Sequence, residues 1–225
     1  MAVDSQQNSL EYEAERRRVM VQTQLRSRDI SDQRVLDVMA KVPRHLFTPE
    51  QHRDQAYADR PLAIGHDQTI SQPYIVALMT QLARPQPHSR ALDVGTGSGY
   101  QAAVLAELCQ QVYGIEIVKP LADSACDRLR ELDYQNIEVR CGDAYRGWPE
   151  HAPFDLIIAA AAPGHVPESL VEQLAIGGRF VLPLGSRGVQ ELVIVEKQPD
   201  GSTRQWSAGG VAFVPMTGEV IGQRG

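Results

Sequence analysis

The sequence predicts an α/β fold: a doubly wound, mostly parallel sheet that follows a helical extension and ends in an edge hairpin. Two observations carry this prediction. After residue 85, apolar runs of strand length alternate with helical patterns, as expected for a parallel sheet with helices on both faces. Three glycines at alternate positions, Gly95, Gly97 and Gly99, stand where the first of these strands gives way to a helix, which is where such sheets bind ligands.

Residues 1–85 are predicted to form the helical extension. Apolar residues at helical spacing predict an amphipathic helix over Leu10–Arg28, and a second short helix is expected over Asp32–Ala40, because Pro43 cannot continue it. The basic run Arg16–Arg18 lies among glutamates of the first helix. We therefore expect a solvated face there in preference to a basic binding patch.

A polar segment with a glycine and a proline, Ile64–Pro73, is predicted to be a loop. A helical pattern follows it over Tyr74–Leu82, and Pro73 suits the first position of that helix, where the missing N–H costs no hydrogen bond. The Pro-rich stretch after Arg84 marks the end of the extension near residue 85.

Residues 86–225 are predicted to form the α/β core. Its expected elements in chain order are strand Ala91–Val94, helix Tyr100–Gln111, strand Val112–Ile117, helix Leu121–Leu132, strand Ile137–Cys141, strand Phe154–Ala160, helix Pro167–Leu174, strand Arg179–Leu184, strand Glu191–Glu196 and a last run that ends at Pro215. The last two runs flank a turn with Pro, Asp, Gly and Ser, which predicts a hairpin at the sheet edge.

Composition limits the classes of function. The 225 residues suffice for one substantial core, so residues 1–225 are expected to form a single domain. A net charge of -6 disfavours a nucleic-acid partner, and no apolar run approaches the roughly 20 residues that span a bilayer. Cys109, Cys126 and Cys141 are odd in number and lack metal-ligand spacing, so we expect no disulfide framework, no metal and a cytoplasmic protein. A monomer is the expected state.

The glycine run favours S-adenosylmethionine over a dinucleotide. A dinucleotide fingerprint needs a third glycine at position 100, where this chain has Tyr100. S-adenosylmethionine has no phosphate and needs close backbone near its methionine part, which Gly95–Gly99 supplies. It also needs a carboxylate for the ribose hydroxyls, and Glu116 at the end of the second strand can accept from both. A nicotinamide-dependent oxidoreductase is therefore disfavoured.

Asp143 follows the third strand and admits two interpretations. A turn aspartate commonly caps its own local backbone. Alternatively its carboxylate accepts the adenine amino group while a neighbouring backbone N–H, near Ala144, serves a ring nitrogen. With Gly95–Gly99 and Glu116 in place, the second interpretation is favoured.

Five motifs together resemble those of seven-stranded S-adenosylmethionine-dependent methyltransferases: Asp93–Gly99, Glu116, Gly142-Asp143, Phe154–Ile158 and Leu174–Val181. A second set resembles the protein-L-isoaspartate O-methyltransferase family from about Met20 to Glu219: Val42–Phe47, Ala56-Tyr57, Asp67–Tyr74, Ala160–Pro163 and Val211–Pro215. The Gln-Thr-Ile-Ser-x-Pro element is the most specific of these.

This resemblance implies an enzyme that methylates L-isoaspartyl and D-aspartyl carboxylates of damaged proteins and peptides, initiating repair through a succinimide, and releases S-adenosyl-L-homocysteine. It implies Ser71 as the residue associated with catalysis. The residues expected to bind S-adenosyl-L-methionine are Gln68, Thr69, Ile70, Asp93, Gly95, Thr96, Gly97, Gly99, Glu116, Asp143, Ala144 and Thr217.

The chemistry needs no strong general base, because an aspartyl carboxyl with a pKa near 3.9 is already ionised at neutral pH. Ser71 is therefore expected to orient the substrate carboxylate or shape the covering loop. The plainer alternative is that Ser71 only helps to start the helix at Pro73. Two rival functions share the cofactor residues: a methyltransferase for another acceptor, and a non-catalytic S-adenosylmethionine sensor, which would lack the Ser71 loop.

Overall fold

The structure is a computed structural model that describes residues 2–186 and 188–218. The chain divides into two compact units, one ending at Gln81 and the other beginning at Leu82. No helix among these residues is long and apolar enough to cross a membrane.

The first unit is mainly helical. Its elements are α1 (Ala2–Met20), a π-helical turn (Val21–Arg26), α2 (Gln33–Lys41), two 3₁₀ turns (Arg44–Phe47 and Glu50–Gln55), strands β1 (Leu62–Gly65) and β2 (Gln68–Ile70), and the start of α3 (Pro73–Ala83). The predicted helices all exist, and α3 begins at Pro73 as expected. Asp32 caps α2, because its side chain accepts a hydrogen bond from the Arg34 N–H.

The expectation of a solvated face is wrong for two of the three arginines in α1. Arg16 donates to the main-chain carbonyls of Arg53 and Asp54, and Arg17 donates from Nε to the Ala40 carbonyl at 3.0 Å. Arg18 alone is exposed, where it pairs with a glutamate one turn away. The first helix is therefore attached to the following segments by its basic side chains, through contacts that local charge pattern does not reveal.

The segment predicted as a loop before Pro73 is instead a short antiparallel hairpin. Leu62 pairs with Ile70 and Ala63 with Thr69. The two residues at the tip, His66 and Asp67, have φ values of 52° and 57°. Positive φ at both central positions is the geometry of a type I′ turn, which matches the twist of the flanking strands.

The second unit contains a seven-stranded sheet in the order β5-β4-β3-β6-β7-β8-β9. The strands are β3 (Arg90–Val94), β4 (Gln111–Glu116), β5 (Ile137–Cys141), β6 (Phe154–Ala159), β7 (Leu174–Ser186), β8 (Val189–Lys197) and β9 (Thr203–Val211). Strands β3 to β7 run parallel, whereas β8 is antiparallel to both of its neighbours. The predicted parallel sheet with an edge hairpin is confirmed.

The described part of this unit also contains helices α4 (Tyr100–Ala106), α5 (Lys119–Glu131) and α6 (Glu168–Glu172), and the 3₁₀ turns Ala144–Arg146 and Pro149–His151. Helix α4 is shorter than predicted, because Gln111 already pairs with Arg90 as the first residue of β4. Strand β7 is longer than predicted and begins at Leu174, beside Phe154.

The core of the second unit explains why its central strands read as continuous apolar runs. Leu92, Ile157 and Phe180 are fully buried on three neighbouring strands. Parallel strands covered on both faces carry such runs instead of alternating polar and apolar residues. The sheet thereby fixes the ends of β3, β4 and β5, which carry the predicted cofactor residues.

Candidate active site

The glycine loop, Gly95–Gly99, forms a turn directly after β3. Gly95, Gly97 and Gly99 have φ values of 81°, 54° and 89°, a region that residues with a Cβ rarely adopt. The N–H groups of Gly95 and Thr96 both donate to the carbonyl of Ile115, at 2.8 and 3.2 Å. The loop is therefore anchored to β4. At the three glycines no side chain covers its backbone.

Gly114 is a further requirement of this loop that the sequence alone did not single out. A Cβ at this position in β4 would lie 2.6 Å from Oγ1 of Thr96, which is 4% exposed. A larger residue would push Thr96 and the loop away from the strand. The signal in the sequence, a glycine inside a strand pattern, often marks such a close approach.

Glu116 is the last residue of β4, and its carboxylate accepts hydrogen bonds from two backbone N–H groups. One carboxylate oxygen accepts from the Gly97 N–H at 2.8 Å, and the other accepts from the Val118 N–H at 2.9 Å. The side chain is buried, with 5% exposed. The carboxylate is thus fixed in direction beside the glycine loop, with lone pairs remaining on each oxygen for hydroxyl donors.

Asp93 lies within β3, just before the loop, and is fully buried. Neither of its carboxylate oxygens has a hydrogen-bond partner within the described part of the chain. The pKa of Asp93 is raised to about 7, mainly by burial and also by the nearby Glu116 charge, while the Thr96 hydroxyl, which donates to the Asp93 main-chain carbonyl at 3.2 Å, offsets part of the rise. A buried carboxyl group with a raised pKa beside such a turn is a candidate for a functional role.

Asp143 and Ala144 stand at the end of β5, where Asp143 lines an open cavity of about 680 Å³. The cavity is lined by Ile117, Arg140, Cys141, Gly142, Asp143, Arg146 and Gly218. Oδ1 of Asp143 also accepts from the Tyr145 N–H at 3.0 Å. The capping role considered for Asp143 is therefore present, and the same side chain faces a cavity of ligand size.

The chain's last described segment returns to this cavity. The Ala162 N–H donates to the Val214 carbonyl and the Met216 N–H to the Ala162 carbonyl, both at 2.8 Å. Gly218 packs directly against the carboxylate of Asp143. Thr217, between them, is exposed.

The remaining predicted site residues belong to the first unit. Gln68, Thr69 and Ile70 form β2, in which Thr69 is exposed and Ile70 is buried. Ser71 follows the strand, is half-buried, and stands two residues before α3. The hairpin and the helix together fix the chain direction on either side of Ser71.

Two family-like elements of the first unit contact each other. Arg44 is fully buried and donates from Nε to the Ala56 carbonyl at 2.7 Å. Next to it, Nδ1 of His45 lies 2.6 Å from the Tyr57 hydroxyl. Burial lowers the pKa of His45 and raises that of Tyr57. Phe47 is 1% exposed, so it serves core packing.

A seven-stranded sheet with a glycine loop after its first strand and a fixed carboxylate after the next defines an S-adenosylmethionine-dependent methyltransferase. Solved structures agree. A Plasmodium falciparum chain assigned as a protein-L-isoaspartate O-methyltransferase, in complex with S-adenosyl-L-homocysteine, aligns over 89% of this chain and 98% of its own, with 27% identity and a TM-score of 0.78. A second structure of a protein-L-isoaspartate O-methyltransferase aligns over 84% of this chain and 62% of its own, with 26% identity and a TM-score of 0.77.

Sequence relatives give the particular family. The family described as protein-L-isoaspartate(D-aspartate) O-methyltransferase matches residues 15–221. A protein-L-isoaspartate O-methyltransferase 2 from Polaromonas sp. is 57% identical over 84% of this chain and 90% of its own length. One from Synechococcus sp. is 54% identical over 90% of this chain and 86% of its own. The chain belongs to the protein-L-isoaspartate O-methyltransferase family.

Proposed function

We propose a division of roles for an enzyme of this family, which transfers a methyl group from S-adenosylmethionine to the free carboxylate of L-isoaspartyl residues in proteins and peptides. The observation that supports it most is the grouping of a buried carboxylate, a glycine loop and a cavity lined by Asp143 at the carboxyl ends of β3, β4 and β5. Parallel sheets bind ligands at this edge. D-aspartyl residues are included as substrates.

The residues present fit the cofactor. Glu116, held by two backbone N–H groups, would accept from the ribose hydroxyls. Asp143 would accept from the adenine amino group, with Ala144 beside it. The glycine loop, with Gly95, Thr96, Gly97 and Gly99, would contact the methionine part, and the unpartnered carboxyl of Asp93 suits its cationic end. Gln68, Thr69, Ile70 and Thr217 would cover the bound molecule.

The reaction requires the attacking carboxylate and the methyl carbon to be aligned, and it does not require a proton to be removed. Bound S-adenosylmethionine supplies an electrophilic methyl carbon on a sulfonium. The attacking isoaspartyl carboxylate is ionised at neutral pH, so this chain has to hold it in line at roughly 3–3.5 Å from that carbon and exclude water. Ser71 would donate one hydrogen bond to the carboxylate oxygen that does not attack, which orients the other.

Repair follows from the product's own chemistry. The ester carbonyl can lose methoxide, whereas a free carboxylate would have to lose oxide. The neighbouring backbone nitrogen therefore attacks the ester carbonyl, its C–N bond forms as the C–OCH3 bond breaks, and the nitrogen's proton leaves with the methoxide as methanol, which gives the succinimide. Hydrolysis then returns part of the material as normal aspartate. No further side chain of the enzyme takes part in these steps.

Three finer properties belong to the same proposal. The whole chain acts as one methyltransferase domain, as a monomer, in the cytoplasm. Three cysteines that are free in the structure fit a reducing compartment. The net charge of -6 fits a protein that binds neither nucleic acid nor membrane. Light scattering on the purified protein would test the monomer, and a dimer at micromolar concentration would refute it.

The experiment that tests the proposed function follows labelled methyl from S-adenosylmethionine into an isoaspartyl peptide, with its normal aspartyl twin as control. We expect base-labile label in the isoaspartyl peptide alone. Label in neither peptide, with S-adenosyl-L-homocysteine still bound, would leave a methyltransferase for another acceptor or a sensor.

The role of Ser71 is tested with Ser71→Ala in the same assay. Loss of one hydrogen bond to a charged group should lower kcat roughly tenfold to a hundredfold, because such bonds contribute about 1.5–3 kcal/mol. Affinity for S-adenosyl-L-homocysteine should be unchanged. Ser202→Ala, in the exposed turn between β8 and β9, is the control. Unchanged turnover in Ser71→Ala would reduce Ser71 to a residue that only starts α3.

A further inference from the structure

The loop that follows Asp143 is held in place by side chains along four consecutive backbone groups. Ser169 Oγ donates to the Tyr145 carbonyl. Nε2 of Gln173 donates to the Arg146 carbonyl at 2.9 Å, and a guanidinium nitrogen of Arg140 donates to the Gly147 carbonyl at 2.7 Å. The Trp148 N–H then donates to Oε1 of Gln173 at 2.7 Å. We call Arg140, Ser169 and Gln173 the loop clamp.

Gln173 makes the most bonds in the loop clamp. Its side chain is 9% exposed, and besides the two loop contacts its Nε2 donates to the Ser169 carbonyl at 3.0 Å. Its own carbonyl accepts from the Phe154 N–H at 2.8 Å, at the start of β6. Gly147, at φ +60°, lets the amide lie directly against the loop, since a Cβ there would overlap the Gln173 side chain.

The residues held by the loop clamp lie next to the proposed cofactor cavity. The clamped residues follow immediately after Asp143 and Ala144, which are assigned above to the adenine. Arg140 lines the same cavity, and its guanidinium lies 4.2 Å from the centre of the Trp148 ring. On its other side, Asp143 is tied to β4, because the Gly142 N–H donates to the Glu116 carbonyl at 3.0 Å. A shift of the loop would therefore turn the carboxylate of Asp143 relative to that of Glu116, which the Gly97 N–H holds in direction.

We propose that Gln173 is a positioning residue for the adenine end of the cofactor: through four consecutive backbone groups, the loop clamp sets where Asp143 meets the adenine amino group. This inference rests on the proposed function, because it presumes that S-adenosylmethionine binds in this cavity. A purely structural role would lower stability without changing which base the cavity prefers. The discriminating quantity is therefore the preference for adenine over a base without the amino group.

The experiment measures the Kd of S-adenosyl-L-homocysteine and of S-inosyl-L-homocysteine by calorimetry. The parent protein should prefer the adenine compound, because the inosine oxygen would face the Asp143 carboxylate. In Gln173→Leu, binding of S-adenosyl-L-homocysteine should weaken about tenfold, whereas the inosine compound should change by less than about threefold. The KM for S-adenosylmethionine should rise in parallel, while kcat and the KM for the isoaspartyl peptide stay within about twofold.

Asn136→Leu is the matched control. Asn136 also donates from its side-chain amide to two backbone carbonyls, those of Ala106 and Cys109 at 2.9 and 3.2 Å, but it precedes β5 and lies outside the cavity lining. Its loss should lower the melting temperature and leave both Kd values unchanged. Gln173→Glu keeps the acceptor for Trp148 and loses the amide donor, so it should show an intermediate preference and covers the case in which Gln173→Leu does not fold.

The outcomes separate the two proposals. If the parent binds S-adenosyl-L-homocysteine and both Gln173 variants keep its adenine preference, the positioning role is overturned. If both ligands weaken equally in the Gln173 variants, or Asn136→Leu also loses the preference, the effect is general destabilisation and the inference fails as well. Absence of binding by the parent protein would instead overturn the proposed function.

Discussion

The glycine loop and the Leu62–Ile70 hairpin are both tight turns that use left-handed backbone, but they differ in what surrounds them. In the glycine loop a Cβ at Gly99 would lie 3.3 Å from the Leu129 side chain. At the tip of the hairpin, His66 and Asp67 adopt positive φ with full side chains and are exposed. The buried turn leaves little room for a side chain at Gly99, whereas the exposed turn carries two side chains at left-handed backbone.

This difference decides what a sequence reveals about function. A buried turn without room for side chains needs glycines. The glycine loop, as the predicted cofactor-binding part of the site, could therefore be identified from the sequence by physical reasoning. The hairpin that leads to Ser71 has no such constraint, and its role came from resemblance to a family. Substitutions in the buried part of the site and in the exposed hairpin test whether burial causes this difference.

The largest effect is expected from the pH dependence of Asp93. A carboxyl group whose pKa is raised by folding costs stability as pH rises: nothing below its ordinary 3.8, and the full amount above about 7. A shift of roughly three units corresponds to at most about 4 kcal/mol. Relative to the parent, Asp93→Asn should therefore gain stability between pH 4 and pH 8, as measured by urea unfolding without cofactor.

The control for this experiment is Asp127→Asn, on the exposed side of α5. It should show almost no pH-dependent gain, since a surface pair contributes about 0–1 kcal/mol. Equal curves for the parent and Asp93→Asn across this pH range would mean that Asp93 finds a partner in solution.

Glu116 should give the next effect, on cofactor affinity. Glu116→Ala removes a carboxylate that two backbone N–H groups hold in direction, and it leaves those N–H groups without their partner. We expect the Kd of S-adenosyl-L-homocysteine to rise by about a hundredfold, from loss of charge-assisted hydrogen bonds to the ribose. Glu131→Ala, exposed at the end of α5, should bind normally. A loss below threefold in Glu116→Ala would remove its assigned role.

The sequence predicted the parts of the fold that depend on short-range pattern. Strand Ile137–Cys141, the start of α3 at Pro73 and the place of Glu116 at the end of β4 all follow from local apolar runs and breakers. The hairpin was missed because strands of three and four residues with mixed polarity carry no clear period. Gln173 and Gly114 were missed because their roles depend on contacts between distant segments.

Attachment of α1 is expected to contribute a smaller, stability-only effect. Arg17 donates to the Ala40 carbonyl and, at 3.3 Å, to the Tyr57 hydroxyl. Arg17→Met should lower the free energy of unfolding by about 1–2 kcal/mol, since both hydrogen bonds from its charged group are lost. Its neighbour Arg18 is exposed, so Arg18→Met should stay within about 0.5 kcal/mol. A loss in free energy of unfolding as small for Arg17→Met as for Arg18→Met would favour the solvated-face interpretation.

The smallest effect concerns the hairpin tip, and it bears directly on the comparison of the two turns. Replacing His66→Asn together with Asp67→Gly supplies the residues that a type I′ turn prefers at positive φ. The free energy of unfolding should rise by less than about 1 kcal/mol, with unchanged cofactor affinity. The converse change in the buried turn, Gly99→Asn, should weaken cofactor binding, because Leu129 and Ala125 would have to move away from its side chain. If substitution in the two turns changes cofactor affinity equally, burial does not explain why the glycine loop could be predicted from the sequence.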